Sequence, residues 1–326
     1  MSRLLKSREK ISTRDAFGKA IVELGQHDPN VVLFEADIAK STRTDLFAKA
    51  FPDRFFNVGV AEQNEMGIAA GAATCGKTAF VSTYAVFASM RACEQIRTSV
   101  AYPRLNVKIT VSHGGVTAYD DGVTHQATED FGIVRTIPNM TVLMPADAPS
   151  TRKAIFAAAE LDGPVYIRFT RIDMPVIYPE DVKFKIGKAI NLRHGDNVTI
   201  IAIGDMVCQA LQAAEKLASK GIGADVFDMH TIKPLDKEAL LGSAMKTGAV
   251  VTVEDHNIIN GLGSAVAEVL GEEYAVPMLR IGLRDTFAES GSYDDLLTYY
   301  GMDVPHIIKA VHKVIKRKKQ ISFKKP

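Results

Sequence analysis

The chain alternates short apolar runs of strand length with amphipathic stretches of helix length, stops between residues 171 and 195, and then starts again. No single motif constrains the fold as much, because such alternation predicts a mainly parallel sheet with helices on both faces. In the first half, residues 31–34, 78–82, 107–111 and 165–169 read as strands, and residues 84–100 and 149–161 as helices. A further helix runs from a Ser12 or Thr13 cap to Gly25, with Phe17, Ile21 and Leu24 at helical spacing. In the second half the strands fall at 198–203, 223–227, 249–253 and 278–281, and the helices at 206–220, 236–245, 262–270 and 304–315. Pro175 and Pro179 mark the interval between the halves as a linker. The expectation is an α/β chain of two domains, about residues 10–175 and 190–316, which suits a length of 326.

Composition removes several classes of function. Apolar residues make up 47% and charged residues 24%, as in soluble globular proteins. Lys and Arg number 39 against 38 Asp and Glu, so no overall field gathers nucleic acid or anionic membrane. No apolar run approaches the roughly 18 residues of a membrane span. Residues 1–10 are basic but lack the apolar core of a secretory leader. Cys75, Cys93 and Cys208 are scattered, which points to a reducing cytoplasm and away from a disulfide framework or structural zinc. The run 316–319 (Lys-Arg-Lys-Lys) reads as a solvated, mobile end.

Three stretches carry chemistry. In residues 57–73 an apolar run meets Glu62, and a helix of small residues follows with Gly67 and Gly71 on one face. Small residues let a second helix approach closely, so this helix is expected to be buried against a partner helix. Glu62 sits at the positive end of the helix dipole, which by itself accounts for an acidic residue there. The loop 112–126 follows a strand end, where open α/β sheets place their ligands. It holds His113, Asp120, Asp121 and His125, more titratable groups than a solvated Asp-Gly turn requires. Tyr84 and Phe87 lie three apart on the expected helix, either as core or as a wall for a flat heterocycle. Gly261-Leu262-Gly263-Ser264 lacks the third glycine of a dinucleotide fingerprint and reads as a plain loop-to-helix turn.

Taken together, Gly59-Val60-Ala61-Glu62-Gln63 and Asp121-Gly122-Val123-Thr124-His125-Gln126 resemble the C-terminal part of the transketolase family of thiamine diphosphate enzymes, over about residues 10–316. The resemblance implies a pyrimidine-binding (Pyr) domain followed by the family's C-terminal domain. It implies that Glu62, a partly desolvated carboxyl in an apolar pocket, hydrogen-bonds N1′ of the cofactor's aminopyrimidine, and that Tyr84, Phe87 and Met90 pack on that ring. Asp37 matches an acidic residue near the thiazolium, and Asp121 and His125 match residues facing the sugar hydroxyls at the reacting carbons. Arg14, Ser41, His113 and Arg171 match the cluster holding the substrate's terminal phosphate. The chemistry suits these types. Side chains do not stabilise an acyl carbanion, so the cofactor supplies that and the protein supplies orientation and charge. A guanidinium fork pairs two phosphate oxygens at once.

The sequence also departs from the family. Val123 replaces the usual proline, and Met90 replaces a third wall aromatic, although methionine still packs on rings. The Gly-Asp-Gly and downstream Asn that hold Mg²⁺ and the diphosphate are absent: Gly195-Asp196-Asn197 and Gly204-Asp205-Met206 both lack the second glycine. No metal-ligating residues are therefore assigned. The resemblance implies one half of a split transketolase, with an N-terminal partner subunit supplying the PP domain and most of the Mg²⁺ coordination, in a homodimer or heterotetramer. The implied reaction moves a two-carbon ketol unit from a ketose phosphate to an aldose phosphate. Rival readings are ketol transfer on a sulfonated, branched or unphosphorylated sugar, half of a deoxyxylulose phosphate synthase, and the β subunit of a 2-oxoacid dehydrogenase. Thr124-His125-Gln126 speaks against the last two. A non-catalytic interaction module would have no physical need for a buried carboxylate.

Overall fold

The computed structural model describes residues 9–322. Residues 1–8 of the basic leading stretch lie outside it. The first unit runs β1 (Lys10–Ser12), α1 (Thr13–His27), β2 (Val31–Glu35), α2 (Ala39–Thr42), α3 (Asp45–Ala50), β3 (Phe55–Asn57), α4 (Glu62–Thr74), β4 (Thr78–Tyr84), α5 (Cys93–Gln95), β5 (Val107–Ser112), α6 (Asp130–Thr136), β6 (Thr141–Leu143), α7 (Ala148–Glu160), β7 (Val165–Arg168) and β8 (Asp173–Pro175). The second runs β9 (Ile190–Arg193), β10 (Val198–Ala202), α8 (Met206–Ala218), β11 (Ala224–Asp228), β12 (Thr231–Lys233), α9 (Lys237–Thr247), β13 (Val250–Asn257), α10 (Leu262–Glu273), β14 (Met278–Leu283), α11 (Tyr293–Tyr299) and α12 (Val304–Ser322).

Seven strands form the first sheet in the order β12-β6-β7-β5-β4-β2-β3, all parallel except β12. Every residue of β4 and β5 is buried, as expected of parallel strands covered on both faces. One face packs Phe17, Ile21 and Leu24 of α1 with Ala154 and Ile155 of α7. On the other, Met66, Ala69 and Ala70 of α4 pack with Val81, Ile96 and Val100. α1 begins where Ser12 Oγ accepts from the Asp15 N–H, and α7 where Asp147 and Ser150 close a capping box. The second sheet has the order β14-β13-β10-β11-β9, parallel except for β9. α8 and α12 cover one face through Leu211, Val311 and Val314. Leu240 of α9 and Val266 of α10 join the same apolar cluster as Phe131 and Met144 of the first unit, so the two units share a core.

The α/β reading with two units holds, with four differences in detail. The interval 171–195 is not an unstructured linker: β8 pairs antiparallel with β1, and β9 with β11. β12 belongs to the second unit in sequence, yet pairs with β6 and extends the first sheet. Residues 84–100 are not one regular helix. Tyr84 closes β4, and two wider π-helical turns, Phe87–Arg91 and Ile96–Ala101, flank the short α5. The basic run 316–319 continues α12 as helix, with Lys318 Nζ donating to the Thr247 carbonyl at 2.6 Å, so it is not a mobile end.

Candidate active site

Glu62 opens α4 with Glu65 one turn on, placing two carboxyls at the end of the helix that favours them. Glu62 is only 5% exposed, but its surroundings are not purely apolar. Glu62 Oε1 accepts from Arg91 Nη1 at 2.9 Å, and the Arg91 guanidinium lies 4.0 Å from the centre of the Phe87 ring. One face of α4 is buried within the chain, and among the described residues no partner helix covers the other. Gly67, Ile68 and Gly71 face outward, and a Cβ on either glycine would meet nothing within 4 Å.

The strand-to-helix turn builds the aromatic wall. Tyr84 and Phe87 stack with centroids 5.5 Å apart. The His113 ring lies 3.9 Å from Tyr84, and His125 presents its edge to Tyr84 and Phe87 at 5.8 and 5.4 Å. These four rings come from β4, the turn after it and both ends of one loop. Met90, on the same turn, is 47% exposed and leaves the wall open to solvent. Asp37 is exposed, with φ +66°, and accepts from Asn57 Nδ2 at 3.2 Å.

The loop after β5 is pinned at both ends by the Gly115 N–H donating to the Ala127 carbonyl at 2.7 Å. His113 is buried with a positive φ of 61°, a sparsely populated conformation for a non-glycine residue and one that clusters at functional sites. Its Nδ1 is 2.7 Å from Ser112 Oγ. Burial, reinforced by Arg14, Arg171 and His125, pushes its pKa down to about 3, so the imidazole is neutral at pH 7. Any anion it meets receives a hydrogen bond and no charge from it. Asp121 accepts from Arg171 Nη1 at 2.7 Å, and the Arg171 guanidinium also covers Tyr119 at 4.4 Å. Arg14 Nη1 donates to the Ser41 carbonyl at 2.9 Å, so Ser41 takes part through its backbone. Arg14 and Arg171 open into one cavity of about 520 Å³, shared with Arg43, Tyr119 and Asp120.

Sequence reasoning missed several participants. Arg43 lines the same cavity from the end of α2 and pairs with Asp15, which with Asp120 and Asp173 gives the cavity carboxylates as well as arginines. Arg91 pairs with Glu62. Asp255 of β13 accepts from the Val116 N–H through both carboxylate oxygens at 3.0 Å, so the second unit holds the loop of the first. The adjacent pair Gly114-Gly115 could have signalled this. A Cβ on either would collide with Arg168, and on Gly115 with the Asp255 carboxylate as well. Among the described residues no group of three or more His, Cys, Asp or Glu is placed to hold a metal ion. Among them, too, no helix is long and apolar enough to cross a membrane.

Glu62 is thus joined through Arg91 to the Phe87 ring, and His113 and His125 lie on the same aromatic pair; comparison with known proteins decides the family. Residues 9–176 match the family description "Transketolase, pyrimidine binding domain", and residues 187–307 match "Transketolase, C-terminal domain". This chain belongs to the transketolase family. It is 48% identical over 307 residues to a Methanocaldococcus jannaschii chain named as a transketolase C-terminal section, covering 93% of this chain and 96% of the relative. It is 47% identical over 305 residues to the 6-deoxy-6-sulfo-D-fructose transketolase subunit of a Clostridium species, covering 94% and 95%. Among solved structures it is similar to a split-gene transketolase described as an inactive β4 tetramer, with TM-score 0.87 and 51% identity over 94% of this chain and 99% of that one. A pyrimidine-binding domain of this family implies thiamine diphosphate, and the residues present fit the pyrimidine half of it. Glu62 can meet a ring nitrogen, and Tyr84 and Phe87 offer ring faces.

Proposed function

We propose that this chain is the C-terminal subunit of a split transketolase and works with an N-terminal subunit that supplies the PP domain. The observation that carries the reading is the buried Glu62 carboxyl, linked through Arg91 to the stacked Tyr84–Phe87 pair. Thiamine diphosphate, when bound, supplies the electron sink that ketose cleavage requires. Glu62 holds and exchanges a proton with N1′ of the pyrimidine, and its burial excludes water from that exchange. Tyr84 and Phe87 orient the ring, with Met90 closing the wall once its exposed side is covered and Asp37 near the thiazolium side.

His125 and Asp121 meet the sugar hydroxyls at the reacting carbons. The edge-on contacts of His125 with both aromatic rings support this by placing it next to the pyrimidine wall. Arg14, Arg171 and neutral His113 grip a terminal anion, and the Ser41 carbonyl orients Arg14 for it. The Asp121–Arg171 pair joins the two groups, so an arriving anion competes with Asp121 for Arg171 and leaves that carboxylate free to turn to the sugar. A sugar phosphate fits this cluster. So does a sulfonated sugar, in keeping with the name of the Clostridium relative.

Mg²⁺ and the diphosphate fall to the partner, and the open Gly67–Gly71 face of α4 is where a partner helix packs. Copies of this chain without the partner associate and turn nothing over, in keeping with the β4 tetramer described for the similar structure and larger than a simple homodimer. The active form is a heterotetramer, and the three free cysteines suit the cytoplasm. Co-expression with the partner subunit, followed by a ketol-transfer screen over phosphorylated, sulfonated and uncharged ketoses, tests the proposal. Activity confined to anionic sugars is expected, and none with any ketose would refute it.

A further inference from the structure

Arg91 stands where two groups assigned above to the cofactor's pyrimidine meet. Its guanidinium lies 4.0 Å from the centre of the Phe87 ring, and its Nη1 is 2.9 Å from Glu62 Oε1. Among the described residues it is the one partner of the Glu62 carboxyl. The carboxyl is nearly sealed at 6% side-chain exposure, whereas the Arg91 side chain is 52% exposed. The cation therefore reaches in from the solvent side.

A guanidinium is flat, delocalised and rich in donors, so it stacks on aromatic faces and pairs with carboxylates. An aminopyrimidine presents the same features to the same two residues: a flat face for Phe87, and a protonatable ring nitrogen for Glu62. Phe87 and Arg91 begin and end one π-helical turn, closed by the Ala92 N–H donating to the Phe87 carbonyl at 3.2 Å. Such widened turns are frequent at functional sites.

We propose that Arg91 is a placeholder for the pyrimidine: it covers Phe87 and neutralises Glu62 until the ring binds, and the entering ring displaces it toward solvent. The inference rests on the pyrimidine pocket assigned above. Its physical reason is that a buried carboxylate left unpaired is costly, so a chain that must fold before its cofactor arrives needs a temporary counter-ion. Release leaves nothing unpaired, because the entering ring takes over both the Phe87 face and the Glu62 carboxyl while the half-exposed guanidinium returns to water.

The test is binding and not turnover. The enzyme assembled from full-length chains is stripped of cofactor and titrated with thiamine diphosphate and Mg²⁺, in the parent form and as Arg91→Ala, Arg91→Lys, Phe87→Ala and Glu62→Gln. Arg91→Ala should bind about tenfold more tightly and load faster, a gain of the size that removing one competing contact provides. Arg91→Lys, which keeps the charge but not the flat face, should fall between it and the parent. The gain should shrink when Arg91→Ala is combined with Glu62→Gln, since the displaced pair is then already gone. Unchanged or weaker binding by Arg91→Ala, with the expected losses at Phe87→Ala and Glu62→Gln, would overturn the placeholder and leave the pocket standing. Unchanged binding by Phe87→Ala and Glu62→Gln would remove the pyrimidine from this pocket and the placeholder with it. Should Arg91→Ala fail to assemble, Arg91→Lys carries the test alone, and equal or weaker binding by it overturns the proposal.

Discussion

Two sets of buried charge in this chain are built on opposite plans. Between the two units Arg168 is wholly buried among opposite charges and acceptors. Its Nη1 donates to Asp130 at 3.0 Å, its Nη2 to the Asp255 carbonyl at 2.6 Å, and Tyr166 donates to the same Asp130 at 2.9 Å. Tyr293 donates to Asp205 nearby. Under α4, Glu35 and Glu65 are equally buried like groups, with the Ser82 backbone N–H toward Glu65 and, among the described residues, no cation beside either. Burial pushes the Glu35 carboxyl up to about 7, against the hydrogen bonds it accepts from Ile38 and Asp37. Burial also raises Glu65 well above the ordinary range, with Glu35 and Glu62 adding to the effect. The first set is a lock, since one guanidinium ties the loop-bearing unit to the second unit. The second holds its protons close to Glu62, beneath the face where a partner is proposed to dock. Burial raises carboxyls in both sets, Asp255 to about 8 and Glu35 to about 7, and what separates them is the guanidinium that only the first contains.

Breaking the lock should have the largest effect. Arg168→Met strands Asp130 and Asp255, and urea unfolding should show a loss of about 3–5 kcal/mol, as when one member of a buried pair is removed. A loss below about 1 kcal/mol would mean the network does not lock the units. Beside the second set, Glu62→Gln should leave a folded, assembling chain yet lower ketol transfer roughly 10²- to 10³-fold, because an amide cannot relay the proton. A kcat near the parent's at saturating cofactor would remove Glu62 from its role. Arg171→Ala sharpens the contrast at the surface cavity. It should cost substrates with a terminal anion about ten- to a hundredfold in kcat/KM relative to uncharged analogues, the worth of one charge-assisted hydrogen bond. Equal losses for both would place the anion elsewhere.

The smallest effect concerns pH. Glu35 and Glu65 have folded pKa values above the unfolded value of 4.5, so the folded state holds more protons between those values. Their stabilising contribution is complete below pH 4.5 and is lost as pH rises, through about 7 for Glu35 and higher for Glu65. The slope is at most about 1.4 kcal/mol per pH unit for each group. Glu65→Gln, with no proton to lose, should flatten the decline above pH 4.5 and exceed the parent's stability by up to about 2 kcal/mol at pH 6. A decline that persists unchanged would exclude Glu65 as its source.

What was legible in the sequence follows from distance along the chain. β4 and α8 announce themselves through seven and thirteen residues of consistent pattern. The three-residue strands β3, β6 and β12 are too short for any period, and β12 crosses to the other sheet through pairing alone. Tyr84 and Phe87 were read as a helical stripe, and they meet although Tyr84 ends a strand. Glu62 and the loop histidines sit in compact motifs that the sequence displays. Arg91, 29 positions from Glu62, and Asp255, 87 from Arg168, act only through tertiary approach. The Asp121–Arg171 pair, 50 apart, likewise joins two groups that the sequence kept separate.

The central claim is that this chain holds the pyrimidine half of a site completed by another subunit. Calorimetric titration of the purified chain with thiamine diphosphate and Mg²⁺, with and without the partner, tests it most directly. The account predicts negligible binding by the chain alone and stoichiometric, magnesium-dependent binding once the partner is added. Tight magnesium-dependent binding by this chain alone would contradict it.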